Sequence, residues 1–269
     1  MADRPNPIPL SLDDDAVSSL LFYPRREWAD ENPRTVGKDF SIPVSGGEAV
    51  GARFHEGKRA GPVILFFHGN GEIAADYDDL APVYTTLGIN FMIADYRGYG
   101  RSTGTPTVSA MLRDACDVFL FFRDWLSKEG FTGPFAVMGR SLGSAPALET
   151  AVTFQDRVDG LIIESGFARI IPLLRLIGVA SIPPGITERE DRFTLERMSA
   201  FRKPTLVIHA EYDHIIPFSD GEALFEACPS EWKRFLKVPG ANHNDIFLKG
   251  FRSYLAAVHE LMRQIRTAK

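Results

Sequence analysis

The stretch PFAVMGRSLGSAPALET, residues 134–150, decides the fold of this chain. Pro134 to Met138 is a short, continuously apolar run, the pattern of a strand covered on both faces. Gly139-Arg140-Ser141-Leu142-Gly143 follows at once, and Ala145 to Thr150 is helix-forming. A Gly-x-Ser-x-Gly sequence between a buried strand and a helix forces a turn so tight that the serine takes strained backbone angles, while its small neighbours let the chain pass. Ser141 therefore reads as an exposed nucleophile at a strand end.

Working outward, the same kind of apolar run recurs at Pro62 to Phe67, Asn90 to Ala94, Val158 to Ile163, Pro204 to Ile208 and Arg234 to Val238. Asp39 to Val44 and Glu48 to His55 flank Ser45-Gly46-Gly47 as a hairpin, which brings the expected strands to eight. The clearest helix is Val108 to Trp125, whose apolar residues fall at spacings of three, four and seven between Thr107 and Gly130. Further helices are expected at Ala74 to Leu87, Leu142 to Phe154, Asp220 to Ala227 and Ile246 to Ile265. This alternation predicts an α/β fold, a doubly wound and mostly parallel sheet. One segment, Ser165 to Lys203, is far longer than a crossover needs and reads as an inserted cap of one or two helices, not a second domain.

A serine hydroxyl becomes a nucleophile only when a base takes its proton and a carboxylate orients that base. His243, in the polar loop Gly240-Ala241-Asn242-His243-Asn244-Asp245 after the last strand, is the expected base, since loops at the carboxyl edge of a parallel sheet carry its sites. His214 is a weaker rival. His55, His209 and His259 read as structural or surface residues, and His68 belongs to another motif. Asp213 is the expected acid, with Glu211 as runner-up. The order Ser141, Asp213, His243 is the one expected of a hydrolase built on such a sheet. The N–H of Leu142 supplies one oxyanion donor, and His68-Gly69-Asn70-Gly71 should supply the other from Asn70, with Gly71 as the neighbouring possibility. Asp95-Tyr96-Arg97-Gly98-Tyr99-Gly100 lacks the P-loop pattern and reads as a structural loop beside the site mouth.

Composition excludes several other classes. The chain of 269 residues carries 30 basic and 35 acidic residues, a net charge of −5 without a basic cluster, which argues against a nucleic-acid partner. Its two cysteines, Cys116 and Cys228, offer neither a disulfide framework nor a zinc spacing, so no metal and no cofactor is expected. Met1 to Asp15 shows no secretory pattern, which makes the cytoplasm the expected compartment. The most apolar long region, Gly160 to Ile186, is broken by Glu164, Arg169, Arg175 and prolines 172, 183 and 184, so no membrane span is expected.

The His-Gly-Asn-Gly loop at 68 to 71, Asp-Tyr-Arg-Gly-Tyr-Gly at 95 to 100, Gly-Arg-Ser-Leu-Gly at 139 to 143, Asp213-x-x-Ile-Pro217 and Asn-His-Asn-Asp at 242 to 245 together resemble the α/β-hydrolase superfamily from about Leu20 onward. Leu21-Phe22-Tyr23-Pro24 is similar to the start of a subgroup of small serine hydrolases that includes membrane-anchored depalmitoylases and bacterial relatives. Unlike the anchored members, this sequence has no apolar span before that point. The resemblance implies eight strands with the second antiparallel, a cap after the sixth, and hydrolysis of a carboxylic ester or thioester through an acyl-enzyme on Ser141. The apolar stripe Ile170 to Ile182 suggests an acyl chain or aromatic acid as ligand, with Gly71, Ile170, Leu173 and Leu174 lining the pocket; packing of the cap on the core is the other reading. An acyltransferase, a peptidase or amidase using the same residues, and a non-catalytic ligand-binding protein are the alternatives. The partner expected is a small acyl ester or thioester, and the sequence leaves oligomeric state open.

Overall fold

A computed structural model describes residues 10–28, 37–179, 182 and 186–267. The reading of the amino end therefore lies outside the described residues over 1–9, and that of the cap over 180–181 and 183–185. In chain order the elements are α1 (Asp15–Leu21), β1 (Lys38–Pro43), β2 (Ala49–His55), β3 (Val63–Phe67), α2 (Ala81–Thr86), β4 (Asn90–Ala94), α3 (Val108–Lys128), β5 (Phe135–Arg140), α4 (Ser144–Thr153) and β6 (Gly160–Glu164). There follow α5 (Ile170–Leu176), α6 (Glu188–Asp191), α7 (Phe193–Ala200), β7 (Thr205–Ala210), α8 (Phe218–Ala227), β8 (Lys233–Val238) and α9 (Ile246–Thr267).

The eight strands form one sheet in the order β1-β2-β4-β3-β5-β6-β7-β8. β2 runs antiparallel to both of its neighbours, and every other pairing is parallel. The strands alternate between two cores. Val137, Leu161, Ile163 and Val207 face one core with Leu112, Ala115 and Phe119 of α3 and Leu148 of α4. Ala136, Met138, Ile162 and Leu206 face the other with Tyr84 of α2 and Tyr254, Val258 and Leu261 of α9. This explains why β3 to β7 read as unbroken apolar runs: both faces are covered. Each fully buried Leu, Ile or Phe contributes about 1.5–3 kcal/mol to stability.

Three expectations need correction. Ala74 to Leu87 is not one helix but a 3-10 turn at Ala74–Tyr77 followed by α2. Pro82 has no N–H to continue a preceding helix and suits the first turn of a new one. The helix expected from Leu142 starts at Ser144, because Ser141–Gly143 forms a separate 3-10 turn after the elbow. Among the described residues the cap carries three short helices, α5 to α7, where one or two were expected. α6 opens with a reciprocal box in which Thr187 Oγ1 accepts from Glu190 N at 3.2 Å and Glu190 Oε2 accepts from Thr187 N at 2.7 Å.

Candidate active site

The parallel strands β3, β5, β6, β7 and β8 lie side by side, so the loops after them meet at one edge of the sheet. Ser141 sits at that edge with φ 52°, one of two non-glycine residues with positive φ among the described residues. Left-handed backbone in a non-glycine residue costs on the order of 1–3 kcal/mol and persists only where the surroundings impose it. They do so here through two close approaches. A Cβ on Gly139 would lie 2.2 Å from the Gly143 carbonyl oxygen, and one on Gly143 would lie 2.1 Å from that of Phe67 and 2.7 Å from that of His68. Both glycines of the motif are therefore needed for clearance. Gly143→Ala is expected to drive the elbow away from the β3 end and lower stability by about 2 kcal/mol or more, measured by urea unfolding.

His243 and Asp213 meet across the loops after β8 and β7. His243 Nδ1 lies 2.8 Å from Asp213 Oδ2 and 3.0 Å from Oδ1, with both side chains almost completely buried. An ionised carboxylate only accepts, so Nδ1 carries the proton and Nε2 is left as the acceptor. Burial works against the Asp213 charge, but hydrogen bonds from His243 and the N–H groups of Ile216 (2.8 Å) and Ile215 (3.0 Å) outweigh it and hold the carboxyl below its ordinary range. The rivals are placed elsewhere. Glu211 accepts from Gly240 N at 2.9 Å and pairs with Lys237 at 2.7 Å, and His214 is exposed. The His243 loop is braced by Asn242 and Asp245, each accepting from the other's backbone N–H, at 3.2 and 2.7 Å.

The loop after β3 is held from several sides. Asn70 Nδ2 donates to the Leu21 carbonyl at 2.8 Å, while Asn70 Oδ1 accepts from Tyr23 N at 2.9 Å and from the Tyr99 hydroxyl at 2.6 Å. Tyr96 donates to the His68 carbonyl at 2.6 Å, and Asp95 accepts from Ala74 N at 2.8 Å. The stretch Asp95 to Gly100 thus scaffolds this loop. The Asn70 side chain thus ties this loop to the amino-terminal segment and to Tyr99.

Comparison with known proteins agrees with this architecture. A family model described as serine aminopeptidase S33 matches residues 58–184. An uncharacterized protein of Mycobacterium tuberculosis is 29% identical over 242 residues, covering 85% of this chain and 80% of that protein. The alpha/beta hydrolase domain-containing protein 17B of Homo sapiens is 31% identical over 75% of this chain and 66% of its own length. The lysophosphatidylserine lipase ABHD12 of Rattus norvegicus is 33% identical over 76% of this chain, which spans only 55% of that lipase. Among solved structures, the esterase Pf2001 of Pyrococcus furiosus superposes with a TM-score of 0.71 at 15% identity, over 90% of this chain and 99% of that one.

The chain belongs to the α/β-hydrolase superfamily. It falls in the ABHD-like subgroup and is a serine hydrolase of the α/β fold. Among the described residues no helix of this hydrolase is long and apolar enough to cross a membrane. Nor, among them, does any group of three or more His, Cys, Asp or Glu side chains stand where it could hold a metal ion.

Beside the elbow this hydrolase has a narrow, wholly apolar cavity of about 30 Å³. Leu142 and Ala145 form its floor, α3 and Leu21 one side, and Ile170, Leu173 and Leu174 of α5 the cap side. Gly71 lies outside this lining, and its carbonyl accepts from Arg25 Nε at 3.1 Å on the loop after β3.

Local pattern left several contributors unseen. His209, read from sequence as a structural or surface residue, has a specific place that the sequence did not give, buried against Asp213: its Nε2 donates to the Ile216 carbonyl at 3.0 Å and lies 3.6 Å from Asp213 Oδ2. Burial pushes its pKa down, which keeps it a neutral donor bracing the Asp213 loop. Arg140, Glu72 and Glu164 form a second unseen group. The only available signal was a charged residue at the variable position of an otherwise buried strand and elbow.

Proposed function

We propose that this hydrolase cleaves carboxylic ester or thioester bonds through an acyl-enzyme on Ser141. The observation that carries the reading is the buried Asp213–His243 couple, whose ring is oriented with an accepting nitrogen on the sheet edge that bears the strained Ser141. In this mechanism Ser141 Oγ attacks the acyl carbon as His243 Nε2 takes its proton. The tetrahedral oxyanion lies between the N–H groups of Asn70 and Leu142. His243 then protonates the leaving alcohol or thiol, and a water activated by the same nitrogen releases the acid.

The acyl group is assigned to the cavity beside Leu142. Its lining is all apolar, whereas an aminopeptidase must also hold a substrate ammonium with an acidic or polar partner, so esters of apolar acids fit better than peptides. At about 30 Å³ the cavity holds little more than a water-sized group, so a chain of several carbons enters only as α5 side chains shift.

The test is turnover of a panel of nitrophenyl esters of increasing acyl length together with fluorophosphonate labelling. Leu173→Ala, at a partly buried position, is expected to raise kcat/KM for long over short acyl chains about tenfold. An unchanged chain-length profile would remove the cavity from the mechanism.

A further inference from the structure

Arg140 stands one residue before Ser141, and its guanidinium makes contacts in three directions. Nε donates to Glu164 Oε1 at 3.1 Å, Nη1 donates to Glu72 Oε1, and Nη2 donates to the backbone carbonyl of His243 at 2.8 Å. These partners are 24, 68 and 103 residues away in the chain. Each partner leads on to a different part of the site. Glu72 uses its other oxygen to accept from Gly69 N at 2.7 Å and from the Tyr77 hydroxyl at 2.5 Å, which fixes the backbone immediately before Asn70. Glu164 ends β6 and takes the hydroxyl of Tyr254 from α9, the helix that the His243 loop leads into. His243 is reached directly through its carbonyl.

We propose that Arg140 is the positioning residue of this hydrolase, setting the loop that bears Asn70 and the loop that bears His243 in register with Ser141 through one buried guanidinium. The proposal rests on the assignment of Ser141, His243 and Asn70 given above. Arginine suits the task because its planar fork presents five donors in fixed directions, whereas a lysine ammonium is a compact point charge. The side chain is largely buried, with 12% of its surface exposed, and burial opposes its charge; the Glu72 and Glu164 carboxylates more than offset this and keep it protonated. Two of the three contacts end on the backbone of site loops, directly at His243 and through Glu72 at Gly69. A purely structural ion pair needs no such termini.

Misplacing a reacting group by about 1 Å can cost on the order of 100-fold in rate. Arg140→Met is therefore expected to lower kcat, counted per fluorophosphonate-titrated site, about 100-fold on a nitrophenyl ester, with KM changing less than about threefold because the acyl cavity is untouched. Arg140→Lys keeps the charge without the fork and should recover only part of that loss. Glu72→Gln, which alters the arm toward Asn70 alone, should lower kcat about tenfold at unchanged KM. If Arg140→Met is too unstable to purify, the Lys and Gln variants decide the matter in the same way. Folded variants with kcat per titrated site within twofold of wild type, or a loss that falls on KM, overturn the positioning role. Failure of the functional reading looks different: wild-type protein would then hydrolyse no ester and take up no probe.

Discussion

Ser141→Ala is expected to abolish fluorophosphonate labelling and to reduce ester turnover by a factor on the order of 10⁶, the loss seen when a serine nucleophile is removed from a triad. The fold should survive. The elbow is imposed by Gly139 and Gly143, whose neighbours approach within 2.1–2.2 Å of where a Cβ would stand. Equal labelling of wild type and variant would remove Ser141 from the mechanism. A companion substitution separates chemistry from strain. At φ 52° a residue other than glycine holds about 1–2 kcal/mol of backbone strain, and Ser141→Gly releases it while gaining about 0.4–1 kcal/mol of unfolded-chain entropy. Ser141→Gly should therefore be inactive yet more stable by up to about 1 kcal/mol in urea unfolding. An inactive variant that is more stable is the mark of a residue held in an unfavourable conformation for its chemistry.

Much of the architecture was legible because it follows from local composition. β4 begins and ends where the apolar run Asn90 to Ala94 does, and β5 extends its expected strand by two residues into the motif, to Arg140. α3 starts after Thr107, whose side chain accepts from Ala110 N at 3.2 Å, as the capping residue in the sequence suggests. What failed was continuity. Ala74 to Leu87 has a helical apolar pattern, but periodicity does not reveal the break in helix between Tyr77 and Ala81. The polar second half of the cap has no long apolar face, so its helices α6 and α7 are held by distant partners. Arg197 Nε donates to buried Glu149 of α4 at 2.6 Å, and Thr194 Oγ1 donates to the Ala168 carbonyl at 2.9 Å.

The candidate site divides in the same way. Ser141, His243 and Asp213 could be proposed from sequence because each occupies a loop whose place follows from strand order. The braces could not be named. Arg140 to His243 and Asn70 to Leu21 and Tyr99 are polar contacts between segments whose adjacency is known only once the sheet is assembled. A buried guanidinium with partners many residues away leaves no periodic trace. It appears in sequence only as a polar residue at a position where a buried strand would carry an apolar one.

Asp213→Asn is expected to lower kcat about 10⁴-fold at neutral pH while leaving KM nearly unchanged. The reason is the direction of one hydrogen bond. In the wild type the carboxylate accepts from His243 Nδ1 at 2.8 Å, so Nε2 is free to take the serine proton. An amide in the same place is already drawn on by the N–H groups of Ile215 and Ile216, which lie 3.0 and 2.8 Å from Oδ1. Its oxygen is kept there by those donors, its NH₂ then faces Nδ1, and the ring must carry its proton on Nε2, where it cannot act as a base. Stability adds an independent check with a definite sign. The Asp213 carboxyl is held below its ordinary value when folded, so its contribution is present above the unfolded pKa of about 3.9 and is lost as pH falls through the folded value. The difference in unfolding free energy between wild type and Asp213→Asn should accordingly shrink as pH falls below about 4. A rate loss without that acid convergence would mean that the amide acts by displacing the loop and not by removing a charge that His243 and the two backbone N–H groups hold in place.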